Sequence, residues 1–187
     1  MNQAMRRGLG KVRGMLRAAL SLFLILAYTV TCTGPGSSEK NVERTCSELS
    51  VISRKIGDNI NRLDDICRQM TTIVRMNSDY HDNINIVFIL EKVNLMRVIA
   101  SCEQKSLDLL CHIKENYLAD FCQDRLESLQ RSAGLAALHI ETIQNVSQKI
   151  SNDAARHQLE EIIRTLRSTS DLYQRSIAVV QSLRLSK

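Results

Sequence analysis

The sequence has no Trp, one Pro and seven Gly among 187 residues, and only 4% of it is aromatic. An all-β domain needs frequent turns, and turns draw on Gly and Pro, so this scarcity argues against that class. A disordered chain is disfavoured as well, because 44% of the residues are hydrophobic and can bury a core. Gly-rich phosphate loops, GxSxG and HExxH are missing too, and with them the usual marks of nucleotide binding, serine hydrolysis and zinc proteolysis. The expectation is a protein that is no enzyme, needs no cofactor and fills one domain.

Acidic residues are missing from one region only. The first 32 residues hold five of the 25 basic side chains and none of the 20 acidic ones, so the rest of the chain balances at 20 of each. The formal charge of +5 therefore belongs to the leader. No field of one sign remains to draw in a polyanion, and no nucleic-acid partner is expected.

The leader's charge has its own reading. A basic stretch from Met1 to Arg17 precedes an apolar run from Ala18 to Val30, and a polar segment from Thr31 to Ser38 follows. That order is the plan of a secretory signal. The run has 13 residues, short of the roughly 20 that span a bilayer as a helix, and Pro35 and Gly36 interrupt any continuation. The sequence predicts a signal peptide over 1–32, a single domain over 33–187, secretion, and no stable membrane insertion after cleavage. Val30 and Cys32 suit the small-residue positions of the cleavage site, and so does a cut after Ala27. A signal anchor that stays uncleaved, giving a type II membrane protein, is the alternative.

Cleavage after Cys32 leaves Cys46, Cys67, Cys102, Cys111 and Cys122, whereas cleavage after Ala27 keeps all six cysteines. The secretory route is oxidising, so disulfides are expected among these five. Zinc needs closely spaced ligand pairs; no cysteine pair has the two-residue spacing, and His81, His112, His139 and His157 are scattered, so no metal site is expected. Cys67 falls in an apolar stripe and also suits a buried small hydrophobe. Cys46 and Cys122 fall at expected helix ends, where chains are most easily joined, and both are expected to be bridged, with no pairing implied.

What the sequence has in quantity is helical periodicity. Thr45 followed by Glu48 has the spacing of a capping box at a helix start. From there Leu49, Ile52, Ile56, Ile60, Leu63, Cys67, Met70 and Val74 fall on one helical face, opposite Arg54, Lys55, Asp58, Arg62 and Asp65. The polar run Asn77–Asn83 reads as a loop. Ile84–Leu90 suits either a strand or a helix, and its continuation through Val93, Met96 and Ile99 favours a short helix. A helix from Ser101 to Phe121 carries Leu107, Leu110, Ile113, Tyr117 and Phe121, with Cys111 and Leu118 beside them. Another from Asp124 to Ile150 carries Leu126, Leu129, Ala133, Ala136, Ile140 and Ile143, with Gly134 as a candidate kink. Asn152-Asp153 caps the last, whose stripe is Leu159, Ile162, Leu166, Tyr173, Ile177, Val180 and Leu183. Four long helices and one short one, each apolar on one side, predict an all-α, disulfide-stapled bundle, in up-and-down or crossover order.

Other features carry less. Cys111 and His112 are adjacent, hence about 100° apart on a helix, and make no nucleophile pair. Glu160-Glu161 reads as a solvated face rather than a catalytic carboxylate pair. Asn145-Val146-Ser147 is a glycosylation sequon, and Asn145 stands about 200° round the helix from Ile143, towards solvent.

The stretch from Cys46 to Phe121 resembles the front half of an interleukin-10 family cytokine, nearest the interleukin-20 subfamily. Cys46 stands at the start of the first helix, like the family's first cysteine. Asn83-Ile84-Asn85-Ile86 followed by Ile89-Leu90 resembles the loop into its short second helix. Cys102, Leu109-Leu110, Tyr117-Leu118 and Phe121 are similar to the cysteine, leucines, Tyr-Leu and Phe of its third. Two departures stand out. No Cys follows Cys122, so the family's disulfide map is not carried over, and Ser170-Asp171-Leu172 is the nearest text to the family's Gly-Glu-Leu-Asp-like element.

The resemblance implies a secreted cytokine, monomer or homodimer, that bridges two different class II cytokine receptor chains and signals through Janus kinases and STAT factors in immune or epithelial cells. It implies receptor contacts on the exposed side of the first helix (Arg54, Lys55, Asp58, Arg62), the following loop (Asp79, His81, Asp82) and the last helix (Arg164, Arg167, Arg175). An interleukin-6-type long-chain cytokine is the runner-up within that class. Outside it stand the signal-anchored bundle and a lipid carrier that opens on lipid surfaces, the latter opposed by cysteines that staple the bundle shut.

Overall fold

The computed structural model describes residues 37–113 and 115–185. The expected signal peptide and its cleavage site, with Cys32, lie outside the described residues. Among the described residues there are four helices: α1 (Ser37–Met76), α2 (Tyr80–Leu110), α3 (Glu115–Ser147) and α4 (Asp153–Leu185). Connections of three to five residues join them, so each consecutive pair must turn back on itself. Cross-helix partners confirm the sense. Glu48 meets Arg175 while Arg62 meets Glu161, and Ser106 meets Arg125 while Glu103 meets Ser132. Neighbours run α1–α2–α3–α4 and back to α1, with only slight contact between α2 and α4.

The count corrects the expected five helices. The short helix around Ile84–Ile99 and the start of the next are one continuous element, α2. The polar run Asn77–Asn83 contributes a loop of only three residues. Asp79 is the N-cap, accepting from the N–H groups of His81 and Asp82, and Tyr80 to Asn83 are already helical. The chain breaks instead at Cys111–Ile113, inside the helix expected over Ser101–Phe121, and α3 begins before the expected Asp124. Cys111 and His112 thus lie in a turn, with both N–H groups bonded to the Leu109 carbonyl. Helix α1 begins upstream of the Thr45–Glu48 box, because the preceding Ser37–Arg44 contains no Pro or Gly to stop it. Glu48 there reaches across to Arg175 rather than back to a cap. Helix α3 runs through Gly134, which has open space around it. The cap on α4 is as expected: Asn152 Oδ1 accepts from the Ala155 N–H at 2.9 Å.

The stripes explain the packing. Leu49, Ile52, Ile56, Leu63, Cys67 and Met70 of α1 are buried, as are Leu159, Ile162, Leu166, Tyr173, Val180 and Leu183 of α4. Tyr117, expected in a stripe, is 67% exposed instead. The core has two lobes. One is built around Leu63, Met70, Ile86, Met96, Ile140 and Leu166, the other around Leu49, Ile56, Leu107, Leu129, Tyr173 and Val180. Where they meet, polar side chains cross the bundle. Glu103 Oε1 accepts from the Ser128 and Ser132 hydroxyls at 2.6 and 2.8 Å, and Asn59 donates to Thr169. Glu103 Oε2 and the Tyr173 hydroxyl are buried without a hydrogen-bond partner. Burial first, and then the Glu103 charge, push the Tyr173 phenol upward, so it stays protonated.

Candidate functional site

Helices α1 and α4 meet along an exposed, charged seam. Glu161 sits at its centre and takes Arg62 from α1 and Arg164 from its own helix. The Arg62 hydrogen bond chiefly, with the charges of Arg164, Arg62 and His157, holds the Glu161 carboxyl below the ordinary carboxylate range. Asn59 bridges to Ser168 and Thr169, each at 3.1 Å, and Arg175 donates through Nε and Nη2 to Glu48 at 2.9 and 2.7 Å. Guanidinium groups form such forked bonds readily, and they fix the orientation of two helices as well as attracting them.

The structure gathers most of the predicted contact residues on this seam and its flank. Arg62, Arg164 and Arg175 are in it, Lys55 and Asp58 are exposed on α1 beside it, and Arg54 is exposed on the outer flank of α1, about 120° round from Glu48. Arg167 is exposed but stands about 120° round α4 from Glu161, away from α1. Asp79 and His81 are exposed at the α1–α2 turn.

Asp82 is a correction. It is 2% exposed and is no surface contact. Its carboxylate accepts from the Ser151 N–H at 3.0 Å, the Ser151 hydroxyl at 2.9 Å and the Asn152 N–H at 2.9 Å. Burial pushes its pKa up, but these bonds and the Arg156 charge outweigh burial and leave it below the ordinary carboxylate value. The side chain therefore ties the start of α2 to the α3–α4 turn. Sequence reasoning also missed Glu48, Asn59 and Glu161 as the α4-facing side of α1 and its counterpart. The spacing of Glu161 and Arg164, three residues apart on a helix, was the available signal.

The cysteines divide three ways. Cys46 and Cys111 form a disulfide across 65 residues of sequence, with Cα atoms 5.5 Å apart, joining α1 to the α2–α3 turn. Cys122, expected to be bridged at a helix end, lies inside α3 and is buried in the core, because that helix starts earlier than expected. Cys67 is buried in the other lobe, where desolvation raises its thiol to about 11. Cys102 is exposed and outside the bridge. Asn145 of the sequon is exposed on α3, as its position relative to Ile143 predicts.

Among the described residues no three His, Cys, Asp or Glu side chains converge as metal ligands would, and no helix is long and apolar enough to cross a membrane. A shallow, open groove between α1 and α2 is lined by Asp64, Cys67, Arg68 and Arg97, and the Arg97–Asp64 ion pair crosses it. His139 is buried on α3, where burial and then the Lys92 charge lower its pKa. The chain matches no protein-family model and no curated protein sequence.

Proposed function

We propose that this chain is a secreted helical ligand that binds cell-surface receptor chains through the α1–α4 seam, acting as a cytokine does. The observation that carries the reading is the gathering of Lys55, Asp58, Arg62, Arg164 and Arg175 along one exposed surface built by two helices, with Arg54 on its outer flank. Helix faces of this kind offer rigid, charged, specific contacts to a protein partner. The partners are class II cytokine receptor chains, two different ones bridged by one ligand, and the output is Janus kinase and STAT signalling.

The path of the chain bears on this. Long-chain cytokine bundles run up-up-down-down with long crossovers, whereas connections here span three to five residues. That difference counts against the interleukin-6-type alternative, and it means the reading rests on the charged seam and the Cys46–Phe121 resemblance rather than on a shared helix order. A signal-anchored protein displaying the same seam from a membrane is the second reading, favoured by the apolar run Ala18–Val30.

Two measurements separate these. The intact mass of the chain recovered from transfected animal cells distinguishes a processed form in the medium from a full-length form in membranes. STAT phosphorylation in cells bearing class II receptor chains tests the activity, with Arg54→Glu/Asp58→Lys expected to weaken binding at unchanged helix content. Unaltered binding by that variant removes this face from the site, and no binding to any class II chain overturns the cytokine reading.

A further inference from the structure

Helix α2 is apolar on both sides. Its inner side fills the core, while its outer side shows Tyr80, Ile84, Val87, Phe88, Leu95 and Val98 at 38–76% exposure. These are six of the ten exposed large hydrophobic side chains among the described residues, on one helix of four. A helix that packs on one side only has no physical need of a second apolar face. Positions 84, 88, 91, 95, 98 and 102 advance by 4, 3, 4, 3 and 4 residues, the 3.5-residue average of a seam between two helices. Glu91 is the one charged member of that series, and exposed Cys102 closes it.

We infer that the outer face of α2 packs in register against the same face of a second copy of this chain, about a two-fold axis along the helices, with the two Cys102 thiols joined by a disulfide. In-register pairing sets every residue of the seam against its own copy, which satisfies the two-fold symmetry of an isologous interface and brings the two Cys102 thiols together. Area supports it. The six side chains, with Leu135 and Leu138 on neighbouring α3 at 40% and 56% exposure, leave on the order of 600 Å² of apolar surface, at the upper end for a monomer. Two such faces supply about 1,200 Å², the lower bound of a specific interface.

The thiol supports it independently. A chain that holds the Cys46–Cys111 disulfide belongs to an oxidising setting, where an exposed odd thiol takes an intermolecular partner. Cys67 and Cys122 are buried in the two core lobes, which leaves Cys102 as the reachable one. The oxidant is a small disulfide such as oxidised glutathione. One Cys102 thiolate attacks it, forming a mixed disulfide and releasing one glutathione thiol. The second Cys102 thiolate attacks the mixed disulfide, releasing the other glutathione thiol, so two protein thiols and one small disulfide become one protein disulfide and two small thiols. The pairing leaves the α1–α4 seam uncovered and does not depend on receptor binding.

The test uses the full-length chain from animal cells, purified from whichever fraction holds it, medium or detergent-solubilised membrane. Sedimentation is expected to give a dimer, and a non-reducing denaturing gel a dimer band that dithiothreitol collapses. Cys102→Ser is expected to abolish that band while a concentration-dependent dimer persists in sedimentation. Leu95→Glu/Val98→Glu is expected to weaken that non-covalent dimer ~100-fold with helix content unchanged, since both side chains are exposed, and Glu91→Gln to tighten it. A monomer with Cys102 free, capped or paired to Cys67 or Cys122 overturns the inference. So does a dimer indifferent to all of these variants. A monomer whose Leu95→Glu/Val98→Glu form alone loses receptor binding overturns it too, and gives the face to the receptor.

Discussion

The two ends of the bundle solve one problem by different chemistry. At the end holding the α1–α2 and α3–α4 turns, Asp82 gathers Ser151 and Asn152 through hydrogen bonds to one buried carboxylate. At the other end, Cys46 and Cys111 join α1 to the α2–α3 turn by a covalent bond. Helix ends leave backbone groups unsatisfied and fray easily, so both devices hold what would otherwise open first. The difference lies in what releases each. Protons release the Asp82 end, and reductant releases the disulfide end.

The largest expected effect breaks the covalent end. Closing a loop of 65 residues restricts the unfolded chain by roughly 4 kcal/mol in the chain-entropy treatment. Replacing both Cys46 and Cys111 by Ser is expected to cost about that much in denaturant titration. Hydrogen exchange should quicken around residues 107–113 and stay slow around residues 79–86. Equal loosening of both ends would show that the bundle opens as one unit and that the comparison is false.

Next comes the polar end. Asp82→Ala leaves the Ser151 and Asn152 N–H groups without their acceptor and is expected to cost about 2–3 kcal/mol. Its sign with pH follows from linkage. The folded carboxyl has a lowered pKa, so its contribution is complete above the ordinary unfolded value of about 3.9 and is lost as pH falls through the folded pKa. The stability difference between the wild type and Asp82→Asn should therefore shrink below about pH 4, where the disulfide end is unaffected. A difference that stays constant through that range would separate Asp82 from the acid response.

A smaller effect tests the belt between the ends. Tyr173→Phe removes a buried hydroxyl that has no partner and is expected to raise stability by about 1 kcal/mol. A loss in thermal melting would mean that the hydroxyl does useful bonding in the fold. The smallest concerns the seam: Glu48→Gln breaks the exposed pair with Arg175 and should cost about 0.5 kcal/mol or less, fading with salt.

The same contrast shows what could be read from sequence. The apolar stripes of α1 and α4 were legible because burial on one side of a helix imposes a period, and most of their members are buried. The Asn152 cap was legible because it is local. The break at Cys111–Ile113 was not, since Leu110-Cys111-His112-Ile113 holds no Gly or Pro and continues the helical pattern. The role of Asp82 was hidden for a different reason. A second acid just after the Asp79 cap looks like an ordinary first-turn residue, and its partners lie 69 and 70 residues away. The Cys46–Cys111 pairing was equally non-local, and the expectation at Cys122 rested on a helix end that the structure places earlier in the chain. On the α1–α4 seam, exposure of Arg54, Lys55, Asp58 and Arg62 followed from the stripe opposite, whereas Glu161 needed knowledge of which helices are neighbours.

The bridge also orders events in time. Cys46 and Cys111 both precede α3 and α4 in the sequence. A chain emerging from the ribosome at about 5–20 residues per second can thus close the first two helices into a ring roughly 4–15 s before α4 is complete. During that interval the half-made protein is already locked at one end. The Asp82 carboxylate, at the other, waits for a turn that has yet to be translated.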